Sequence, residues 1–358
     1  MRKKLNIMLG TAPDGNGGIA TVVNGLIKDG FFRDNRVTYL STHVSYKSKL
    51  GAFIKFSGVC INFLYLNVIC NVQVVHIHMA SRGSYARKSV IIRLASLFRN
   101  KIIIHLHGAE FKEFYSDECS YSKQKNIRNS FNLSDKIIVL STQWRDWVRT
   151  IVEEKYKVCV VYNAVPEVVL PCKKLQQENI LFLGRLGQRK GVEDLINAFA
   201  KVASKFPNSQ LQLGGDGDLT KYQTQVSSLG LVNQVTFLGW VSGETKNQCL
   251  ADATIYCLPS YNEGFPMGIL EAMSAGVAVV ASKAGGIPDA ITDQIDGLLI
   301  DAGDVDSLAE ALITMLEDSD KRCKLSASAK EKYQLNFCPE VIVPQLEAIY
   351  QELLSKPK

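Results

Sequence analysis

Two carboxylates stand eight positions apart in the segment Glu263-Gly264-Phe265-Pro266-Met267-Gly268-Ile269-Leu270-Glu271. The apolar run Thr254–Leu258 before it reads as a buried strand, and Pro259, Ser260 and Asn262 as its turn. The Ala-rich stretch to Ala275 reads as a short helix stopped by Gly276. A helix starting near Phe265 turns its first unpaired amides towards the loop, and such an end attracts anions such as a diphosphate. Glu271 then lies roughly 9 Å along the axis at ~1.5 Å per residue. A nucleotide-sugar has similar dimensions, with its diphosphate at the amides, its sugar hydroxyls near Glu263 and its ribose hydroxyls near Glu271. A carboxylate accepts from two vicinal hydroxyls, which is a chemical reason for both positions to be acidic. One surface Glu on a loop and another on a helix would show the same spacing. The rest of the chain decides between the two.

Other stretches carry chemistry of the same kind. Arg185-Leu186-Gly187-Gln188-Arg189-Lys190-Gly191 is a basic loop after the strand Asn179–Gly184. Near the start, the strand Leu5–Gly10 runs into a Gly-rich loop ending in Gly17-Gly18, and a helix follows over Ile19–Ile27. This is a phosphate-cradling layout. It is not the dinucleotide fingerprint, which needs G-x-G-x-x-G and an acid after the next strand. Here that strand, near Val37–Leu40, is followed by Ser41-Thr42-His43. No nicotinamide cofactor is expected, and there is no Walker motif.

Two His-x-His pairs, His76/His78 and His105/His107, sit on candidate strands. Alternate strand residues share a face, so chelation is open, yet no Cys, Asp or Glu joins them at a ligand-like spacing. No metal and no cofactor are expected. Ligands of open α/β sheets sit beyond the carboxyl ends of the strands. That rule puts His78, Arg82 and His107 towards a cleft, with Arg87 and Lys88 close behind. Asp216-Gly217-Asp218 spells D-x-D, but its glycines make a tight turn a sufficient explanation.

The elements that must position these residues alternate between strand and helix along the chain, which implies parallel sheets covered on both faces. At 358 residues, two domains are the natural expectation. The irregular stretch from Tyr162 to Glu178, with Pro166 and Pro171, is the best linker. The expected division is 1–165, 166–338, and a C-terminal helix over 339–358 that packs back towards the first domain. Nine cysteines without a CxxC pair argue against a disulfide framework or structural zinc, and for a reducing compartment. The basic, briefly apolar start reads as a first strand and not as a signal peptide. The most apolar window, Gly51–Cys70, contains Lys55, Asn62 and Asn67 and reads as a buried or interfacial helix. Residues 1–165 hold 24 Lys and Arg against 11 Asp and Glu; residues 166–358 hold 17 against 24. A basic first half suits an anionic partner, and anionic lipid, a pyrophosphate-linked acceptor and nucleic acid all qualify on charge alone.

Taken in order, Gly184-Arg185, Lys190-Gly191, Pro259-Ser260, Glu263 to Glu271, Ala272-Met273, Ala275-Gly276 and Gly285-Gly286-Ile287-Pro288 resemble the retaining glycosyltransferases of family four, of the bacterial surface-polysaccharide type. The resemblance covers most of residues 179–300. The first half is similar more loosely, through Gly17-Gly18 and His107-Gly108. It implies the GT-B fold, two Rossmann-like parallel-sheet domains facing a central cleft, with an acceptor-binding first domain and a donor-binding second. Arg185 and Lys190 match the basic pair at the donor diphosphate, and Gly17 and Gly18 the N-terminal loop near the phosphates. Gly264, Phe265, Pro266 and Met267 match the loop at the diphosphate, although Pro266 has no amide hydrogen to give. Glu263 matches the acid at the donor sugar, Glu271 the ribose-binding acid, and His107 the histidine at the donor sugar. Position and charge alone nominate Arg82, Arg87 and Lys88 for an acceptor's pyrophosphate.

The resulting expectation is a metal-independent, retaining hexosyltransferase, with UDP-sugar favoured as donor. Its acceptor would be a lipid-linked saccharide in surface polysaccharide assembly. The enzyme would be cytoplasmic, peripheral on the anionic inner face of the membrane, with no nucleic-acid partner. The alternatives are another GT-B nucleotide-sugar enzyme, such as an epimerase, and a catalytically silent nucleotide-sugar-binding protein.

Overall fold

Short apolar runs closed by glycine and polar turns become the strands of two sheets, and every strand pairing is parallel. The computed structural model describes residues 2–15, 17–43, 49–171 and 178–355. Asn16 of the Gly-rich loop, Cys172 and the linker residues 173–177 lie outside them. The chain divides into two compact units, Met1–Ala164 with Pro339–Lys358, and Val165–Cys338.

The first unit runs β1 (Lys4–Thr11), α1 (Gly18–Lys28), α2 (Phe31–Asp34), β2 (Val37–His43), α3 (Lys49–Ile69), β3 (Asn71–Met79) and α4 (Gly83–Leu97). It continues with β4 (Lys101–Leu106), α5 (Phe111–Asp117), α6 (Tyr121–Asn132), β5 (Lys136–Val139), α7 (Thr142–Val148) and β6 (Val158–Val160). Its strand order is β2-β1-β3-β4-β5-β6. Because helices cover both faces, central strands such as β4 and β5 are buried without alternation over residues 102–106 and 137–139. Ile7, Val75, Ile77 and Ile104 face one core, and Met8, Val74, Ile103 and Ile138 the other.

The second unit runs β7 (Asn179–Leu183), α8 (Val192–Lys205), β8 (Gln210–Gly214), α9 (Leu219–Ser228), β9 (Val235–Gly239), α10 (Gly243–Asp252) and β10 (Ile255–Leu258). Then follow α11 (Met267–Ser274), β11 (Ala278–Ser282), α12 (Ile287–Ala290), β12 (Leu298–Ile300), α13 (Val305–Glu317) and α14 (Ser319–Asn336). Its order is β12-β11-β10-β7-β8-β9. The final helix, α15 (Pro339–Ser355), closes the first unit: Ile342, Leu346, Ile349, Tyr350 and Leu353 complete the core that contains Met8 and Val74.

Two expectations need refinement. Helix α11 begins at Met267, not near Phe265, so Glu271 stands about 6 Å along its axis, one turn in. The apolar window is helix α3, and it is not buried. Its Val59 and Phe63 enter the core, while Ile54, Ile61, Tyr65 and Val68 face outwards. Among the described residues, Leu50–Ile69 is the one helix long and apolar enough to cross a membrane.

In the second unit, the chain leaves β7 towards β8 and β9, and β10 starts the other half of the sheet beside β7. This strand-order reversal leaves the loops after β7 and β10 side by side at the carboxyl ends of their strands. Their approach is close. Gly191 has φ of 67°, and a Cβ there would enter the carbonyl of Pro259. Gly285, with φ of 56°, sits as tightly on the Glu263 carbonyl. Gly191→Ala should therefore cost about 1–3 kcal/mol in urea unfolding. Gly187→Ala, in open space with extended backbone, should stay within about 0.5 kcal/mol of the parent.

Candidate functional site

At the β7/β10 reversal, Lys190 Nζ donates to Glu263 Oε1 at 2.5 Å, and Ser260 Oγ donates to the same oxygen at 2.7 Å. Arg189 Nη1 stands 3.9 Å from Glu263 Oε2 and donates to the Asn262 carbonyl at 2.8 Å. The two loops are also tied through their backbones, since the Tyr261 amide donates to the Arg189 carbonyl at 2.8 Å. Glu263 is buried, with its side chain 7% exposed, so a carboxylate is held away from water by two cations and a hydroxyl. Burying a charge is tolerated only when it is paired and hydrogen-bonded in this way.

Beyond Glu263 the chain stays buried through Gly264, Phe265 and Pro266, and the Phe265 ring packs on Phe337. Met267 and Gly268 are more open, and the first amides of a helix have no partner within it. One turn on, Glu271 accepts from Lys246 Nζ of α10 at 2.6 Å. Both acids of the Glu263–Glu271 segment are thus poised with a lysine each. Arg185 is exposed just past β7. In Asp216-Gly217-Asp218, the Asp218 side chain caps α9 by accepting from the Lys221 amide at 3.1 Å. Spacing along the chain did not single out Arg189, Ser260 or Lys246. Arg189 was visible only as part of the basic loop and Ser260 only as part of the turn, and the role of Lys246 arises from a contact between two helices.

In the first unit, Gly17 caps α1, and among the described residues a Cβ at Gly17 or Gly18 would meet nothing within 4 Å beyond its chain neighbours and the helix's own backbone. The two His-x-His pairs join on β3 and the β4 end. His78 Nδ1 lies 2.7 Å from His107 Nε2, and His76 Nε2 3.2 Å from His105 Nδ1. His76 Nδ1 also meets the Tyr350 hydroxyl of α15 at 3.1 Å. Burial holds all four imidazoles neutral, His105 down to about 3 and the others well below the usual histidine range, and their neighbours' charges push His76, His78 and His107 the same way. A neutral His107 can offer hydrogen bonds to hydroxyl groups without adding charge.

Ring nitrogens of His76, His78 and His105 all lie within 4.8 Å of one another, close enough to share an ion. The third member, His105, belongs to the second His-x-His pair and comes from the neighbouring strand, so the grouping of three depends on the pairing of β3 with β4. The rings themselves stack, His76 on His78 with 4.7 Å between centroids, and two hydrogen bonds already pair their nitrogens across β3 and β4.

The nominated acceptor cations differ sharply from one another. Arg82 is paired with Glu110 and with Glu118, which raise its already high pKa further. Lys88 is 1% exposed and donates to Ser84 Oγ at 2.7 Å; burial, with Arg87 beside it, pushes its amine down to about 7. Arg87 is half-buried, and burial lowers its pKa as well.

Residues 172–332 match the family described as glycosyl transferases group 1. The chain is 28% identical over 303 residues to N-acetyl-alpha-D-glucosaminyl L-malate synthase of Bacillus anthracis, covering 80% of this chain and 77% of that protein. Several other curated relatives match about half of this chain and less than half of their own length. Among solved structures, sucrose-phosphate synthase from Thermosynechococcus elongatus superposes with a TM-score of 0.83 at 19% identity, over 99% of this chain and 100% of that one. Anabaena Alr3699/HepE in complex with UDP gives 0.76 at 20% identity, over 98% and 100%. The fold is the two-domain α/β GT-B fold. The family match and the relatives support a glycosyltransferase.

Removing one member of the buried pair should expose its cost. Lys190→Ala leaves Glu263 without its closest cation and should lose about 3 kcal/mol in urea unfolding. Lys190→Ala with Glu263→Gln should recover most of that loss. The histidines predict a pH dependence. Unfolded histidine titrates near 6.5, above the folded values, so the unfolded chain binds more protons in the interval between them. Stability should be full above about pH 6.5 and fall as pH drops below it, by about 1.4 kcal/mol per pH unit for each histidine. A urea midpoint unchanged between pH 7 and pH 5 would contradict neutral burial.

Proposed function

We propose that this protein is a metal-independent, retaining glycosyltransferase of family four that moves a sugar from a nucleotide-sugar, UDP-sugar being favoured, to a hydroxyl of a lipid-linked saccharide. The observation that carries the reading is the Glu263 carboxylate, held by Lys190 and Ser260 at the strand-order reversal in the loop that leads into α11, with Glu271 one turn into that helix. The binding of UDP by a structural neighbour of the same fold, Alr3699/HepE, supports the choice of nucleotide.

In this mechanism Arg185 and Lys190 stabilise the diphosphate as the bond from the anomeric carbon to its oxygen breaks and the electron pair leaves with the phosphate. Preorganised cations and amides aimed at that oxygen act where negative charge develops. The acceptor hydroxyl oxygen forms the new bond on the same face, and its proton passes to the departing phosphate oxygen, so configuration is retained. Glu263 accepts from donor sugar hydroxyls and Glu271 from ribose hydroxyls. The Lys190–Glu263 pair holds both groups in position before the donor arrives, which limits the reorganisation needed at binding. His107 of the first unit serves as a neutral hydrogen-bonding partner for substrate hydroxyls. The setting is the biosynthesis of surface polysaccharide at the cytoplasmic face of the membrane, to which the lipid-linked acceptor confines the enzyme.

Calorimetric titration with UDP, GDP and ADP, with and without EDTA, tests the donor site. Selective binding of UDP, unaffected by EDTA and weakened about tenfold or more by Glu271→Ala and by Arg185→Ala, is the expected result. Folded protein that binds none of the three would overturn the reading. Binding without transfer to any lipid-linked saccharide would favour a silent nucleotide-sugar-binding protein.

A further inference from the structure

Between Asp34 and Glu110 the sequence contains ten Lys and Arg and no Asp or Glu. Helix α3 lies within this acid-free segment and is apolar almost all round, where a surface helix ordinarily shows one apolar stripe and one polar face. Its protein-facing stripe is Val59, Phe63 and Asn67, at the i, i+4, i+8 spacing of one helix face. On the opposite face Ile54 is 63% exposed, Ile61 67%, Tyr65 59% and Val68 57%. Phe53 and Leu64 widen this open face, and Lys55 stands exposed on its edge. Helix α4 packs against α3, and its end adds Leu97, 80% exposed, followed by Phe98 and the exposed Arg99.

We infer that the outward face of α3, with the end of α4, seats on an anionic phospholipid bilayer, α3 lying along the interface and not crossing it. This deepens the reading of a membrane-confined acceptor and rests on it. Three features of the helix choose the occupant. A large apolar patch left open to water marks an interaction site. The absence of any acid over the segment matches anionic headgroups, whereas a second copy would bring the same cations to a self-complementary contact and repel. A spanning helix is incompatible with Phe63, which is fully buried in the core of the first unit and would have to be withdrawn from it. Lying flat, the helix places its apolar side chains at the acyl boundary while Lys55 and Arg99 meet phosphates.

The test is flotation of the full chain with vesicles of phosphatidylcholine alone and of phosphatidylcholine mixed with phosphatidylglycerol, at low and high salt. Strong binding to the anionic vesicles, weaker at high salt and on phosphatidylcholine alone, is expected. Ile54→Ser with Ile61→Ser and Tyr65→Ser should lower the bound fraction about tenfold or more, and Lys55→Glu with Arg99→Glu should remove the preference for anionic lipid. No flotation of the parent chain overturns the proposal, as does a triple serine variant that floats like the parent. A parent that does not float but dimerises in light scattering, and loses the dimer on serine substitution, overturns it in favour of a second copy. UDP calorimetry on the same preparations keeps the two readings apart: both variants should bind nucleotide as the parent does, whatever the vesicles show.

Discussion

The second unit is organised by the reversal of strand order between β7 and β10. Where neighbouring strands send their crossovers to opposite sides, the loops at their carboxyl ends have space between them and backbone groups free to face it. This chain fills part of that space with a paired charge, Lys190 on Glu263, and fastens the loops with glycines that allow contact closer than any side chain would. The carboxylate is affordable in a buried position only because both loops supply donors to it. Geometry and charge meet here, since the two loops share the ion pair, a backbone hydrogen bond and a glycine contact.

The first unit uses a different device. Burial disfavours charge on its ionisable groups near the strand ends: four imidazoles stack and hydrogen-bond on β3 and the β4 end, and Lys88 of α4 has its amine pushed down to about 7. Exposed cations such as Lys55 on α3, Arg99 past α4 and Lys112 on α5 are spread over other parts of the unit. A basic sequence therefore does not give a uniformly basic surface, and the sites that look alike as letters, Arg82, Arg87 and Lys88, differ in what they can meet. Arg82 is satisfied by two glutamates, while Lys88 is enclosed.

Much of this architecture was legible beforehand because buried parallel strands are written as continuous apolar runs between turn signals. Ile255–Leu258 and Ala278–Ser282 announce themselves in that way. Helix α14 does not: Ser-Asp-Lys-Arg-Cys-Lys-Leu-Ser-Ala-Ser-Ala-Lys buries only Leu325, Ala329 and Tyr333, too thin a stripe to rise above its polar background. The acids at 263 and 271 were readable through their spacing and resemblance. Lys246 was not, since it meets Glu271 from another helix; His78 was placed at its strand end, but its contact with His107 comes from the neighbouring strand. A linear pattern records what one element carries, and these contacts belong to pairs of elements.

The return of α15 to the first unit has a consequence for synthesis. The second unit is one uninterrupted length of chain and can assemble as soon as Cys338 has left the ribosome. The first unit begins earlier in the chain, yet the core around Met8, Val74 and Ile103 lacks Ile342, Leu346 and Tyr350 until α15 has emerged. Tyr350 also supplies the hydroxyl at His76, so the histidine stack is complete only then. Of the two units, the one that begins earlier in the chain is thus completed after the other. Until then its apolar α3 face and an open core are displayed together, and vectorial synthesis reverses the usual order in which an N-terminal domain folds ahead of its successor.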